Sequence, residues 1–444
     1  MRETHNPART DRHSYAAPTN DSPEAESLTI LMVASGREPH LAQLLADLHG
    51  VLDAIGVPRE IIVVADSEDT RTSDAAARGR AQFLTSDTPG YGAALRRGFA
   101  AARGDYILTM DADLSHPSEF VETLWAHRGD VTIASRYVPG GAADMGPVRL
   151  ALSRLLNALF RKGLDLPIRD LSSAFRLYRR SALQGQTITA TAFDILQQVL
   201  VQAYAEGWRV TEVPFVYRSH GTHDWRKRGA RVALAWLRQF GALWLLRNSI
   251  LAADYDDRAH DSRIPLQRYW QRARRRHVTE LIAGHGRVLD VGCGSSRIIG
   301  DLPAGSVAVD VLLRKLRYAR RFNRALVQAS GFALPFADGS FPCVLCSQVI
   351  EHVPKSSPIL DELCRIVQPG GRLVLGTPDY ANWQWVYIEK LYGLVPGSYA
   401  DEHIAHYTRA ELIATMSARG FTVEDERYIL RGELILAFRK HATG

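Results

Sequence analysis

The sequence predicts an α/β protein in which two mainly parallel sheets follow one another along the chain. Short apolar runs alternate with helical patterns twice, first from LTILMVA and EIIVVA to DYILTM, and again from GRVLDVG and SVAVDV to GRLVLG. This alternation is typical of doubly wound sheets. The chain has 444 residues, of which 46% are apolar and 23% charged. The length provides for two or three domains, and the composition excludes disordered and collagenous chains.

The order of these patterns gives the expected domain boundaries. Residues 1–27 are polar and rich in Pro, Ser and Asp, so we expect a disordered N-terminal arm. The first α/β unit is expected over 28–225 and the second over 268–444. Between them, 226–267 combine an amphipathic helix with a polar interdomain linker.

Charge and cysteine content bear on the partners and the compartment. A net charge of +6 suits an anionic ligand but does not choose among nucleotides, polyprenyl phosphates, acidic lipids and RNA. The four cysteines all lie in the second half and favour a reducing compartment. The N-terminus lacks an apolar signal-peptide core, and every 18-residue apolar stretch contains a charge. We therefore expect a cytoplasmic protein without a transmembrane helix.

The segment 232–250 is predicted to form an amphipathic helix. One side of its helical wheel carries the apolar residues Trp236, Leu237, Phe240, Leu243 and Trp244. Arginines lie on another side, and Arg247 is an exception to the pattern. Such a helix suits peripheral contact with a membrane, here the inner face of the plasma membrane. The same pattern suits docking on the protein's own surface equally well.

The first candidate site contains two closely spaced carboxylates. Asp111 and Asp113 follow the predicted strand DYILTM, so both can face the same way at its carboxyl end. Two such oxygen donors can hold Mg²⁺ or Mn²⁺, which bridges diphosphate oxygens and neutralises the charge on a departing nucleoside diphosphate. An isolated Asp-x-Asp triplet is also common in solvated turns, so the interpretation depends on the surrounding motifs.

Those surrounding motifs point to a family. GYGAALRRG at 90–98, GDY at 104–106, DADLSHP at 111–117 and SRYVPGG at 135–141 resemble the family 2 glycosyltransferases of GT-A fold. Within that family they are most similar to the dolichyl- or polyprenyl-phosphate mannose synthases. The resemblance implies a GT-A sheet that binds a nucleotide-sugar donor.

The resemblance also implies roles for single residues. Asp111 and Asp113 would serve the metal, with Asp113 also catalytic, and Arg136 would read a phosphate as a further catalytic residue. The residues expected to bind the nucleotide sugar are Glu38, Asp66, Gly92, Asp111 and Arg218. The loop ASGRE at 34–38 departs from the family's Pro-x-Tyr-Asn-Glu, so the donor stays open between GDP-mannose and a UDP-sugar.

The acceptor determines whether a catalytic base is needed. A polyprenyl phosphate is already anionic, so inverting transfer requires positioning and charge neutralisation. A hydroxyl of a glycan acceptor requires a carboxylate base, for which Asp170 and Asp224 are candidates. Asp170, with Ser172 and Ser173, is expected either on the acceptor side of the catalytic site or in a plain turn.

The second candidate site follows a strand in the second unit. Asp290, Gly292 and Gly294 place an acidic residue and two glycines between a strand and a helix. Asp310 ends the next strand, where an acidic side chain can bind two ribose hydroxyls. A dinucleotide site shares these features, although Ser296 replaces its third glycine.

Further motifs favour a methyl donor in the second site. LPFADGSF at 334–341, QVIEHV at 348–353 and QPGG at 368–371 resemble class I methyltransferases of the type 11 and ubiquinone-biosynthesis kind. The resemblance implies a Rossmann-like sheet that binds S-adenosylmethionine through Asp290, Gly292, Gly294, Asp310, Gln348 and Glu351. His352, His403 and His406 are candidates for a catalytic base, with a purely structural role as the alternative.

Together the motifs predict a bifunctional enzyme that transfers a sugar and methylates within one pathway. One alternative is that one unit, most readily the glycosyltransferase, has lost its chemistry and serves as a binding scaffold. Another is RNA modification, which the arginine clusters at 272–276 and 314–324 favour. Those clusters lack the interleaved stacking aromatics of RNA-binding modules, so no nucleic-acid partner is expected.

Overall fold

The computed structural model describes residues 26–36, 38–65, 69–218, 225–392 and 403–442, with the backbone alone for 225–236 and 391–392. The strands of the first half are β1 (Leu28–Ala34), β2 (Arg59–Ala65), β3 (Gln82–Thr85), β4 (Tyr106–Asp111), β5 (Val131–Ser135), β6 (Ala142–Asp144), β7 (Arg176–Arg179), β8 (Val210–Pro214) and β9 (Val216–Arg218). Its helices are α1 (Leu41–Ile55), α2 (Thr70–Arg78), α3 (Tyr91–Ala101), α4 (Phe120–Ala126), α5 (Pro147–Gly163), α6 (Arg180–Leu183), α7 (Ile195–Ala205), α8 (Trp225–Asn248) and α9 (Tyr255–His260).

The second half contains a further set of both kinds. Its strands are β10 (Val288–Val291), β11 (Val307–Asp310), β12 (Ala325–Gln328), β13 (Phe341–Ser347), β14 (Val367–Pro378), β15 (Phe421–Ile429) and β16 (Glu433–Lys440). Its helices are α10 (Pro265–Ile282), α11 (Ile298–Asp301), α12 (Leu313–Ala319), α13 (Ile359–Ile366), α14 (Trp383–Tyr392) and α15 (Arg409–Ser417). Short 3₁₀ turns follow α12 at Arg320–Phe322 and β13 at Ile350–His352.

The first sheet has seven strands in the order β3-β2-β1-β4-β7-β5-β8. β1 is parallel to β2 and β4, whereas β7 is antiparallel to both of its neighbours. Val33 pairs with Asp111 and Ala34 with Ala65, so β1, β2 and β4 end at one edge. Because β5 runs the same way as β4, the loop after β5 leaves from that edge too.

Helices cover both faces of this sheet, which explains the unbroken apolar run of its central strand. Along β1, Leu31 packs into one core cluster, while Ile30 and Met32 pack into the other. The helix α7 supplies much of the first cluster and α1 much of the second. The sheet and its helices therefore form a packed core, and the polar loops at the carboxyl edge lie exposed on it.

The second sheet also has seven strands, in the order β12-β11-β10-β13-β14-β16-β15. β10 to β14 pair in parallel, and β16 pairs antiparallel with both β14 and β15. The carboxyl ends of β10, β11 and β13 lie side by side, so the predicted glycine loop, Asp310 and the QVIEHV segment share one edge. The prediction of two consecutive α/β sheets is confirmed.

The helix α8 docks on the first unit through part of its apolar side. Phe240 packs edge-on against Phe160 with ring centroids 5.2 Å apart, and Leu243 is buried. These contacts support the docking interpretation for this stretch, while Leu237 and Leu245 remain exposed. The Trp236 side chain lies outside the described residues. Within the described part of the chain, no helix combines the length and apolarity that crossing a membrane requires.

Candidate active sites

At the edge of the first sheet, Asp111 is held by a buried histidine. The Asp111 backbone N–H donates to His116 Nδ1 at 2.8 Å, and His116 Nε2 lies 3.7 Å from Asp111 Oδ2. Burial lowers the pKa of His116 despite the opposing charges of Asp111 and Asp113, so the ring is neutral near pH 7. Because Nδ1 accepts a hydrogen bond, the proton is on Nε2, on the side of the Asp111 carboxylate. Phe175 stacks on the ring at 4.7 Å and fixes its plane.

Asp113 lies two residues further along the same loop. Its Oδ1 accepts hydrogen bonds from the N–H of Ser115 at 3.1 Å and from the Ser115 hydroxyl. Both aspartates are half-buried, and the Asp111 side chain keeps 33% of its surface exposed. Half-buried carboxylates are the hard oxygen donors that Mg²⁺ and Mn²⁺ prefer. The donor set therefore fits the predicted divalent cation, which Asp111 and Asp113 would hold.

Tyr91 and Gly92 begin α3 beside this loop. Burial, followed by the charge of Asp111, raises the pKa of Tyr91 well above its usual value, so its hydroxyl stays protonated. The Tyr91 ring stacks on Phe193 at 4.3 Å. The Gly92 N–H donates to Thr191 O at 3.0 Å, and a Cβ added to Gly92 would lie 2.7 Å from Ala192 O. The glycine is thus needed for close contact with the 190–192 backbone, while its predicted contact with the donor remains a prediction.

Arg136 and Asp170 form a buried ion pair. Arg136 Nε and Nη2 donate to Asp170 Oδ2 and Oδ1 at 2.8 and 2.7 Å, and the Arg136 N–H donates to Oδ2 at 3.0 Å. Ser172 and Ser173 donate backbone N–H groups to Oδ1. Burial raises the pKa of Asp170, but Arg136 lowers it more, and the net pKa is below its ordinary value. A fully buried carboxylate with so many donors favours a role in positioning Arg136 over proton abstraction.

A basic cavity opens beside this ion pair. It has a volume of about 380 Å³, and its lining includes Arg136, Arg154, Asn157, Arg161 and Arg169. The ring of Tyr137 also lines it and lies 5.2 Å from the Arg136 guanidinium. Arginines converging on one cavity are suited to binding phosphate oxygens. The motif pattern of the sequence identified only Arg136 among these four arginines.

Two further residues predicted to bind the nucleotide-sugar donor, Arg218 and Glu38, lie around the same edge. Arg218 lines a second cleft of about 520 Å³ together with Ser115, Pro117 and Phe215. Glu38 Oε1 accepts hydrogen bonds from the N–H and hydroxyl of Ser35, at 2.8 and 2.6 Å, in the loop after β1. Asp66 and Asp224, also predicted as site residues, lie outside the described residues.

In the second sheet, the glycine loop is tied to the end of β11. Gly292 and Gly294 have φ values of +73° and +56°, in the left-handed region that favours glycine. Asp310 Oδ2 accepts a hydrogen bond from the Gly294 N–H at 2.8 Å, and Oδ1 accepts one from the Leu312 N–H at 2.8 Å. Burial raises the pKa of Asp310 more than these hydrogen bonds lower it.

Asp256, from the predicted linker, enters the same loop. Its Oδ2 accepts hydrogen bonds from the N–H and hydroxyl of Ser295 at 2.9 and 3.0 Å, and from Lys315 Nζ at 2.9 Å. Burial raises the pKa of Asp256, but the combined effect of Lys315 and Ser295 is larger and brings the pKa below its ordinary value. The carboxylate is therefore charged. A Cβ on Gly294 would lie 2.6 Å from Asp256 Oδ2. Sequence reasoning missed this residue because 39 positions separate it from Ser295.

Asp290, at the core of the second sheet, is almost fully buried. Its exposed fraction is 4%, and burial together with the nearby Asp310 raises its pKa to about 7. The carboxyl group is therefore partly protonated near neutral pH. Its position beneath the glycine loop fits a supporting role, and its contact with the cofactor remains a prediction.

The edge beyond β13 contains several buried polar atoms without hydrogen-bond partners among the described residues. They are Ser347 Oγ and Gln348 Nε2, together with Thr377 Oγ1 and both carboxylate oxygens of Glu351, which make no hydrogen bond of normal geometry although the Thr377 hydroxyl lies beside Glu351. Gln348 also has a φ of +61°, rare for a residue with a side chain. Unsatisfied groups of this kind mark places where a ligand completes the hydrogen bonding. With the glycine loop and Asp310, they fit S-adenosylmethionine, whose sulfonium supplies an electrophilic methyl group.

The three candidate histidines lie near one another beside this edge. The rings of His352 and His403 are 5.0 Å apart, and His406 stacks on Tyr380 at 4.0 Å. Glu351 is fully buried, and burial raises its pKa to about 8. Thr408 caps α15 by accepting a hydrogen bond from the Glu411 N–H.

The fold and these sites define a class of protein: a transferase built from two α/β units. Each unit carries its polar residues at the carboxyl edge of its sheet. Residues 29–185 match the family model described as glycosyl transferase family 2, and residues 289–375 match the model described as a methyltransferase domain. A family 2 glycosyltransferase domain and a methyltransferase domain are therefore both present in this chain.

Similar proteins support the first assignment. Dolichol-phosphate mannosyltransferase of Pyrococcus furiosus is 28% identical over 223 residues, 46% of this chain and 60% of that protein. Polyprenol monophosphomannose synthase of Mycolicibacterium smegmatis is 35% identical, over 29% of this chain and 49% of that protein. Glycosyltransferase AglD of Haloferax volcanii is 31% identical, over 38% and 28%. The chain thus spans 60% or less of each of these three relatives.

Solved structures with similar folds were found for each half. Glucosyl-3-phosphoglycerate synthase from Mycobacterium tuberculosis, in complex with UDP, is 21% identical and covers 50% of this chain and 80% of its own, with a TM-score of 0.40. A SAM-dependent methyltransferase from Thermotoga maritima is 22% identical and covers 39% and 93%, with a TM-score of 0.33.

Proposed function

We propose that this chain is a bifunctional enzyme of glycolipid or glycan biosynthesis. Its first half transfers a sugar, with inversion, from GDP-mannose or a UDP-sugar to a polyprenyl phosphate. Its second half uses S-adenosylmethionine to methylate a compound of the same pathway. The observation that carries the proposal is the basic cavity around Arg136, at the same sheet edge as Asp111 and Asp113.

The choice of a phosphate acceptor is supported by the lining of that cavity. Four arginines line it, Arg136, Arg154, Arg161 and Arg169, and no carboxylate is among the described residues of its lining. Asp170, the described candidate for a base, is buried in its ion pair with Arg136. A phosphate nucleophile needs no base, because its oxygen is already anionic at neutral pH. A hydroxyl acceptor, by contrast, would need a carboxylate positioned to take its proton.

A polyprenyl chain on that phosphate is supported by the outer surface of α5. Val148, Leu155 and Leu159 are exposed by 65%, 65% and 43%, and their spacing places them on one side of the helix. Arg154 and Arg161, from the same helix, line the basic cavity. An exposed apolar helix face beside a basic pocket suits a lipid phosphate at a membrane surface. The exposed Leu237 and Leu245 of α8 lie within 232–250, where peripheral contact was predicted.

In the proposed transfer, an acceptor phosphate oxygen attacks the anomeric carbon of the donor sugar. The bond from that carbon to the diphosphate breaks, and the electron pair leaves with the nucleoside diphosphate. Arg136 and its neighbouring arginines hold the acceptor phosphate. Asp111 and Asp113 would hold a divalent cation, which would supply neutralisation of the charge on the leaving diphosphate. His116, neutral and buried, keeps Asp111 in place. The four free cysteines and the exposed apolar side of α5 support action at the cytoplasmic face of a membrane.

The test is sugar transfer by the full-length chain. Protein treated with EDTA and reloaded with Mn²⁺ is incubated with labelled GDP-mannose or UDP-glucose and polyprenyl phosphate in vesicles, and product is extracted into organic solvent. We expect labelled lipid from one donor, and a loss of at least about 100-fold in Asp113→Asn. Arg154→Ala and Arg161→Ala should raise the KM for polyprenyl phosphate.

Matched variants separate these effects from general damage. Arg149→Ala removes an arginine of α5 that is outside the cavity lining, so it should leave the KM near wild type. Transfer to a soluble glycan in place of the lipid would contradict the phosphate acceptor. Absence of product with every donor, in protein that S-adenosylmethionine still protects from heat, would favour the scaffold interpretation of the first half.

A further inference from the structure

The edge of the second sheet contains a group of residues with the composition of a metal site. One potential ligand atom from each of Glu351, His352 and His403 lies within 4.8 Å of the others. Among the described residues, no other three His, Cys, Asp or Glu side chains meet this closely. The cluster is in the methyltransferase half, so it is separate from Asp111 and Asp113.

The backbone brings these residues together from distant parts of the chain. Glu351 and His352 form the turn after β13, whereas His403 precedes α15. The Ile404 and Ala405 N–H groups both donate to the Glu351 carbonyl, at 2.8 and 3.0 Å. These two hydrogen bonds fix His403 beside the turn. The cluster is therefore built by the fold itself.

The Glu351 carboxylate is the observation that points to a ligand. The residue has an exposed fraction of 0%, and neither oxygen accepts a hydrogen bond of normal geometry from the described residues, although the Thr377 hydroxyl lies beside the carboxylate. A buried carboxyl group with so few donors either stays protonated or is stabilised in its charged form by a cation. Arg274, the nearby cation, is paired with Glu433 through bonds of 2.7 and 2.6 Å. A bound cation would satisfy Glu351 directly.

His403 has a carboxylate hydrogen-bonded to one of its ring nitrogens, as metal-bound histidines commonly do. His403 Nδ1 lies 2.7 Å from Glu389 Oε1 and 2.8 Å from the Tyr380 hydroxyl. When Nδ1 donates its proton to Glu389, Nε2 carries the lone pair that a metal needs. A carboxylate behind a histidine also fixes its ring and makes it a stronger ligand.

We propose that Glu351, His352 and His403 bind a divalent transition-metal ion such as Zn²⁺, Mn²⁺ or Co²⁺. Two imidazoles and one carboxylate suit such ions better than Mg²⁺, which prefers oxygen ligands alone. Three protein ligands leave coordination positions open, and the two histidines are only half-buried. An acceptor hydroxyl bound at an open position would have its pKa lowered, so the substrate class of the second half is an alcohol. The site does not depend on sugar transfer by the first half.

The experiment measures Co²⁺ binding to the full-length chain. Metal-free protein carrying Asp111→Asn and Asp113→Asn is titrated with Co²⁺, so that the aspartates of the first sheet do not contribute. We expect one equivalent per chain, with the visible absorption of nitrogen-ligated Co²⁺. Adding His403→Ala or Glu351→Gln should weaken binding at least about 100-fold, and adding Glu389→Gln about 10-fold to 100-fold.

His406→Ala is the matched control, because His406 stacks on Tyr380 beside the cluster but is not part of it. It should bind Co²⁺ as tightly as the parent. A cooperative thermal unfolding transition without added ligand shows that each variant is folded, because Glu351 is itself a predicted contact of S-adenosylmethionine. The proposal is overturned if the folded parent binds no Co²⁺, or if His403→Ala and His406→Ala weaken binding equally.

Discussion

Arg136 and Asp170 are joined by two parallel hydrogen bonds of 2.8 and 2.7 Å, although 34 residues separate them in the chain. The Arg136 side chain is 9% exposed and that of Asp170 is fully buried. The pair therefore lies inside the first unit, with the guanidinium forming part of the basic cavity. Such a pair holds the Arg136 guanidinium at the cavity wall in a single orientation.

Asp170→Asn should destabilise the first unit by roughly 3–5 kcal/mol, because the buried Arg136 charge loses its partner. The pKa of Asp170 is below its ordinary value in the folded protein, so its stabilising effect is present above about pH 4. That effect disappears as the pH falls through the folded pKa. Thermal unfolding of wild type and variant across this pH range measures both the size and the direction of the difference.

The surface variant Asp53→Asn is the control for Asp170→Asn. Asp53 also pairs with an arginine, Arg59, but its side chain is 67% exposed. Exposed ion pairs contribute about 0–1 kcal/mol, so this variant should unfold close to wild type. Equal losses of stability in the two variants would contradict a special role for burial of the Arg136 pair.

The sequence predicted the parts of both sites that follow directly from a strand. Asp111 ends β4 and Asp310 ends β11, and in a parallel sheet such positions must reach the carboxyl edge. Gly292 and Gly294 were identifiable because their positive φ values restrict the residue type. The fold class was predictable for the same reason, since the alternation of strand and helix is a local property.

Contacts between distant segments could not be predicted in this way. Asp256 reaches Ser295 from a polar segment whose composition indicates only a linker. His116 was part of a recognised motif, but its contact with Asp111 depends on the course of the loop. Arg154 belongs to α5, whose sequence pattern gives no sign of a binding site. Its role becomes visible only in the structure, where it lines the same cavity as Arg136. Each relationship depends on tertiary packing, which a single sequence does not specify locally.

Gly92→Ala should destabilise the first unit by about 1–3 kcal/mol and reduce sugar transfer. The added Cβ would lie 2.7 Å from Ala192 O, and backbone cannot move away as a flexible side chain can. Gly50→Ala is the control, because a Cβ at this exposed position in α1 meets nothing within 4 Å. It should raise stability by roughly 0.5–1 kcal/mol. Thermal unfolding of both variants tests the contrast, and equal shifts of the same sign would refute it.

Asp290→Asn should change how the stability of the second unit depends on pH. The folded pKa of Asp290 is raised to about 7, so the wild type loses stability as the pH rises from about 4 through 7. The full difference is on the order of 4 kcal/mol, at 1.36 kcal/mol for each pKa unit. Asparagine does not ionise, so the stability of the variant should rise relative to that of the wild type at pH 8.5 but not at pH 5.

Melting curves at these two pH values, for wild type, Asp290→Asn and Asp361→Asn, provide the measurement. Asp361 is a carboxylate of the same unit whose side chain is 66% exposed, and removing it should leave the wild-type pH dependence in place. If Asp290→Asn and wild type keep a constant difference from pH 5 to pH 8.5, Asp290 does not titrate in this range.

Arg247 interrupts the apolar side of α8, and its buried pairing explains the exception. Its Nη1 and Nη2 donate to Asp254 Oδ1 and Oδ2 at 2.5 and 2.7 Å, and its exposed fraction is 0%. Arg247→Met should cost roughly 3–5 kcal/mol because it leaves the Asp254 charge buried and unpaired. Adding Asp254→Leu should recover much of that loss, since both charges are then replaced by apolar groups. Thermal unfolding of the two single variants and the double variant measures the coupling, and strictly additive losses would show that the two side chains do not act as a pair.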